Sequence, residues 1–125
     1  MYATRRYTTA AVDFVAASLK EKAAFFLYFA FGHVHTPQYA GTKQAGKSKR
    51  GIFGDSVAEV DASVGAVLDA LGTSNTICLL SSDNGAPDAH QHNQPGQQLD
   101  AITGSNHAFL GSKTQTWEGG KLFLV

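Results

Sequence analysis

A chain of 125 residues has room for one modest domain. Ten Lys/Arg against ten Asp/Glu leave it formally neutral, without the basic footprint of a nucleic-acid binder or of a protein held on an anionic membrane. A hydrophobic content of 43% excludes a compositionally disordered chain, and a single cysteine excludes an internal disulfide and a cysteine-rich zinc site.

The first 14 residues hold a basic pair, Arg5-Arg6, but no apolar h-region, so no secretory leader is expected there. That leaves an intracellular protein or one whose true N-terminus lies upstream; localisation stays open. Thr8 or Thr9 can cap a helix running to about Lys22, with Val12, Val15 and Leu19 on one face. Residues 25–31, FFLYFAF, are apolar on both faces and read as a buried central strand. The apolar run around them falls far short of the roughly 20 residues a membrane-spanning helix needs, so no transmembrane segment is expected.

Gly32 breaks the strand, and His33-Val34-His35-Thr36-Pro37 leaves it as a loop. His33 and His35 could be a zinc chelate, a general acid, or loop histidines with solvent or backbone partners. The polar stretch 39–54 places four of the ten basic residues, Lys43, Lys47, Lys49 and Arg50, within eight positions. It reads as a solvated loop, or alternatively as a surface that attracts an anionic substrate.

The clearest helix spans residues 55–71, where Val57, Val60, Val64, Val67, Leu68 and Leu71 form an apolar stripe. Asp55 suits its N-cap and Gly72 its stop. Residues 76–80, TICLL, read as a second buried strand, with Cys78 inside it as a small hydrophobe. Strand, helix, strand is a right-handed βαβ unit of a parallel sheet, in which functional residues gather beyond the carboxyl ends of the strands. His35 and Asp83-Asn84 stand at those two ends and are expected to open onto one crevice.

Asp83-Asn84-Gly85 offers two hard oxygen donors side by side on a sharp turn, suited to Ca²⁺ or Mg²⁺, though also an ordinary turn sequence. Two donors fall short of the roughly six to eight oxygens calcium takes. Residues 86–106 are expected to be a long polar loop, in which His90 and His92 read as solvated. Lys113 lies in a Gly- and Ser-rich stretch as a cation able to approach an anion. Glu118 is expected to accept backbone N–H groups, and residues 122–125 look like the start of another strand.

Four stretches taken in order, FFLYFAFGHVHTPQYA, RGIFGDSVAEVDASVGAVLDAL, NTICLLSSDNGAP and GSNHAFLGSKTQTWEGG, resemble the second half of a sulfatase catalytic domain, in the arylsulfatase A and N-acetylgalactosamine-6-sulfatase branch. The resemblance covers about residues 20–120. It implies an α/β, alkaline-phosphatase-like fold with a largely parallel sheet and flanking helices, of which residues 1–125 are a part. It also implies calcium-dependent hydrolysis of a sulfate ester, carried by a small molecule or a glycan. On this likeness Asp83 and Asn84 match metal ligands, with Asn84 also near the bridging ester oxygen. His35 and Lys113 match residues that bind sulfate and assist the leaving oxygen, and Glu118-Gly119-Gly120 matches a structural signature. His33 matches no essential position.

The chain also departs from the family. The nucleophile there is a formylglycine made in a Cys/Ser-x-Pro/Ala-x-Arg motif, which does not occur here, and Cys78 is followed by Leu79-Leu80-Ser81. The first acidic calcium pair is absent, as is the usual Arg and Pro after Gly120. The expectation is a partial catalytic domain, inactive by itself and poorly soluble because its sheet lacks neighbours. The alternatives are a non-catalytic remnant that binds anions or a partner, and a metal-dependent phosphatase or phosphodiesterase of the same superfold.

Overall fold

The computed structural model describes residues 3–87 and 104–121. The chain divides into two units, Met1–Thr76 and Ile77–Val125. Predictions for residues 88–103, including His90 and His92, and for residues 122–125 lie outside the described residues.

The first unit is built on two helices that pack together, α1 (Ala3–Lys20) and α2 (Gly51–Leu71). Helix α1 starts a turn before Thr8. Thr8 Oγ1 donates to the Thr4 carbonyl at 2.8 Å, so this hydroxyl bonds back within the helix and caps nothing. The buried positions are Thr4, Ala11, Val15 and Ser18. Of the expected stripe only Val15 is fully enclosed, while Val12 and Leu19 are half-buried. Lys20 lies in the last turn, where its charge suits the carbonyl end of the helix.

Helix α2 starts four residues before Asp55, so Asp55 is not its N-cap. Gly72 ends the helix at φ 57°, in the left-handed region, and its N–H donates to the Leu68 carbonyl at 3.0 Å. The valine stripe is only partly covered: Val57 and Leu68 are exposed, and Leu71 alone is buried. Asp55, Ser56, Glu59 and Ser63 are buried instead; the first three hydrogen-bond to the loop 39–50, and Ser63 Oγ bonds back to the Glu59 carbonyl at 2.9 Å. Ser56 Oγ lies 2.8 Å from the Tyr39 carbonyl and 2.9 Å from that of Ile52.

The parallel sheet is not present among the described residues, which form no strand ladder. Residues 23–32 are neither helical nor paired. Phe25 meets Phe14 of α1 edge to face, with ring centroids 5.7 Å apart, but Phe26 is 87% exposed. Residues 76–80 are likewise unpaired, with Ile77 90% exposed, and Cys78 is exposed where burial was expected. The reason is physical. A strand satisfies its N–H and C=O groups only on a neighbouring strand, and apolar side chains on both of its faces need covering layers.

Candidate functional site

The second unit assembles its chemistry from three loops. Residues 82–87 carry Asp83, Asn84 and Gly85, residues 104–115 carry Asn106 and Lys113, and a 3-10 turn spans Glu118–Gly120. They are tied main chain to main chain. Gly85 N–H donates to the Gly120 carbonyl at 3.1 Å, Lys113 N–H to the Ala86 carbonyl at 2.9 Å, and Gly119 N–H to the Leu110 carbonyl at 2.8 Å. The main chain at Lys113 is therefore held to Ala86, two residues after Asn84.

Such close backbone approach accounts for the glycines. A Cβ at Gly85 would run into the Gly119 carbonyl, and a Cβ at Gly119 into the Gly111 carbonyl. Gly111, at φ 91°, also takes a backbone conformation that suits glycine.

Asn106 is the residue that sequence reasoning did not single out. Its Oδ1 accepts from Ala86 N–H at 2.7 Å, while its Nδ2 donates to the Ala86 carbonyl at 2.8 Å and to the Gly111 carbonyl at 3.3 Å. One carboxamide thus satisfies both polar groups of Ala86 and fastens the Lys113 loop to the Asp83-Asn84 turn. Its partner is 20 residues away, and no local motif signals such a bond.

Asp83 is exposed and Asn84 half-buried, with Ser82 Oγ donating to the Asn84 carbonyl at 2.6 Å. A carboxylate and an amide oxygen in succession suit a hard cation, but they supply only part of a calcium shell. Among the described residues no three His, Cys, Asp or Glu side chains come together as a metal cluster. Lys113 is half-buried, and the next residue, Thr114, takes a left-handed φ of 79°. Glu118 is exposed, and it is its main-chain carbonyl that accepts a bond, from Lys121 N–H at 3.0 Å.

His33 and His35 belong to the first unit, in a loop where the His33–Val34 and Thr36–Pro37 peptide bonds are cis. His35 is exposed, and its Nδ1–H donates to the Thr36 carbonyl at 2.7 Å. That bond fixes the tautomer and leaves Nε2 as the atom that can meet a ligand. His33 instead packs edge to face on Tyr39, with ring centroids 4.4 Å apart. Its Nε2 is buried without a hydrogen-bond partner. Burial lowers its pKa from the ordinary 6.5, against the opposing pull of the Glu59 charge and the Tyr39 backbone. The two histidines therefore differ in kind: one is presented to solvent, the other packed into the loop.

The basic loop 41–50 is shaped by two buried carboxylates of α2. Asp55 Oδ2 accepts from Gly46 N–H at 2.6 Å, and Oδ1 from Lys47 N–H at 3.1 Å and Ser48 N–H at 2.7 Å. Glu59 Oε2 accepts from Gly41 N–H at 2.8 Å. The bonds from Ser48 and Gly46 hold the Asp55 pKa below its ordinary value, outweighing the opposing effect of burial, and the Lys47 bond adds to them.

A family model described as Sulfatase matches residues 1–122. N-acetylgalactosamine-6-sulfatase of Mus musculus is 39% identical over 121 residues, covering 94% of this chain and 22% of the relative. Steryl-sulfatase of Rattus norvegicus is 39% identical over the same share of this chain, 94%, and 20% of its own length. Arylsulfatase A of Homo sapiens is 40% identical over 84 residues, 64% of this chain and 17% of the relative. The chain spans about a fifth of the length of these relatives. The family match extends from the first helix through the Asp83-Asn84 turn, the Lys113 loop and the Gly119-Gly120 turn, and the chain belongs to the sulfatase family.

Proposed function

We propose that residues 1–125 are part of a sulfatase catalytic domain of alkaline-phosphatase-like α/β fold, and that they supply metal and sulfate contacts for hydrolysis of a sulfate ester. The observation that carries this reading is the tie between the Asp83-Asn84 turn and the Lys113 loop, made by the Lys113–Ala86 bond and the Asn106 clamp, in a chain of this family.

Asp83 and Asn84 would hold calcium through their side-chain oxygens. When bound, the ion supplies positive charge to the non-bridging sulfate oxygens. Lys113 places its ammonium on a sulfate oxygen and on the oxygen that leaves, where negative charge grows as the S–O bond breaks. Asn84 lies near the bridging oxygen. For His35, whose Nδ1–H donates to the Thr36 carbonyl, the family likeness supports a role in binding sulfate and protonating the departing alkoxide through Nε2. Asn106 touches no substrate; it positions the two loops.

The formylglycine motif does not occur in these residues. The chain by itself therefore binds rather than turns over, which is also what a non-catalytic anion-binding role would require. The test is to place residues 3–121 within a full-length relative, in exchange for the stretch they match, and to compare hydrolysis of an aryl sulfate with that of the aryl phosphate. We expect sulfate turnover that falls about 100-fold or more with Lys113→Ala, on the order of the loss of one preorganised charge contact. Preferential turnover of the phosphate would overturn the sulfatase reading in favour of a phosphatase. Sulfate turnover by the isolated chain would overturn the claim that it lacks the nucleophile.

A further inference from the structure

Four of the ten basic residues fall between positions 43 and 50, and Lys43, Lys47, Lys49 and Arg50 are all exposed. The site residues do not use this loop, yet it is ordered rather than loose. Its turns are closed by main-chain bonds from Gln44 and Ala45 to the Gly41 carbonyl at 2.9 and 2.8 Å, and from Gly51 to Ser48 at 3.2 Å. Two carboxylates of α2 bind its backbone. Both Asp55 oxygens accept backbone N–H groups of the loop itself, and Glu59 accepts that of Gly41. The carboxylates hold the backbone from beneath while the ammonium groups face water.

We propose that loop 41–50 is a docking surface for a linear polysulfated saccharide, gripped by Lys43, Lys47 and Lys49. Lysine is a compact point charge on a flexible stem, which suits repeated sulfates along a chain better than a single bidentate contact. The sequence GTKQAGKSKR holds no aromatic residue, so the loop has no platform on which a nucleobase could stack. Arg50 lies 5.5 Å from the centre of the Phe53 ring, over its face, and is outside this grip. The choice of sulfate over other anions rests on the sulfatase reading; the binding needs neither Lys113 nor a metal.

The test measures the affinity of the full 125-residue chain for dextran sulfate, unsulfated dextran and a thymidine oligonucleotide of equal charge, across a range of salt. Salt-dependent binding to dextran sulfate alone is expected. Lys43→Gln/Lys47→Gln/Lys49→Gln, all at exposed positions, should weaken it tenfold or more and flatten the log–log salt slope by about two to three. Asp55→Asn removes a negative charge, so simple charge counting predicts tighter binding; a loop that must be held in shape predicts binding weaker by several-fold. Unchanged affinity in the triple variant, tighter binding by Asp55→Asn, or equal affinity for the oligonucleotide would each overturn the proposal. Loss of aryl sulfate binding with dextran sulfate binding intact would count against the ester site alone.

Discussion

At Asn106 a single carboxamide meets both polar groups of the Ala86 backbone and the Gly111 carbonyl. Alanine there would leave a half-buried N–H and two carbonyls without this partner, a local loss of about 2 kcal/mol. Amide hydrogen exchange at Ala86 is therefore expected to speed up about 30-fold in Asn106→Ala. Unchanged protection would show that the three loops hold without the clamp. Thr114, β-branched and left-handed beside Lys113, gives the opposite prediction. Glycine relieves a conformation that costs an L-residue about 1–2 kcal/mol, so Thr114→Gly should slow exchange in the same loops. Neither residue was legible in the sequence. Asp83, Asn84 and Lys113 stand out there as candidates, two hard donors and a cation in glycine-rich turns. What ties them comes from a distant amide and from glycines that permit backbone contact, neither of which leaves a local pattern.

At the scale of elements, α2 and the loops packed on it respond to pH through two groups whose folded pKa values are both lowered, Asp55 by hydrogen bonds and His33 by burial. Asp55 has its folded pKa below the ordinary 3.8, so its contribution to stability is present above that pH and is lost as pH falls through the lower folded value. Acid should loosen the amides of Gly46, Lys47 and Ser48 first. Asp55→Asn should loosen them already at neutral pH, and exchange at those three amides checks both. His33 also has a depressed pKa, from burial, so the unfolded chain binds more protons between the two values. Its contribution is full above about pH 6.5 and declines as pH falls below it. Denaturant midpoints measured from pH 5 to 7 should rise with pH, and His33→Phe should reduce that slope. The helices themselves were legible from periodicity and from Gly72. Their starts were not, because Asp55 looks like an N-cap while its oxygens serve the backbone of the preceding loop.

For the whole molecule, residues 23–32 and 76–80 carry strand sequences and no ladder among the described residues. Phe26 at 87%, Tyr28 at 82%, Ile77 at 90% and Leu79 at 85% exposure present apolar surface to water. Composition and apolar runs marked these segments as strands, and they could not report whether neighbouring strands were within the same 125 residues. Unpaired strand-forming segments of this kind favour association. The isolated chain is expected to self-associate at micromolar concentration in sedimentation velocity, and a monomer with one cooperative melting transition would contradict that.

The central claim, that Asp83, Asn84 and Lys113 form the metal and sulfate contacts of this chain, is met most directly by calorimetric titration with an aryl sulfate in the presence and absence of Ca²⁺. Binding strengthened by Ca²⁺ in the wild-type chain, with the Ca²⁺ effect lost in Asp83→Asn and affinity lowered tenfold or more in Lys113→Ala, is the predicted result. Binding that ignores Ca²⁺ and is unchanged in both variants would contradict it.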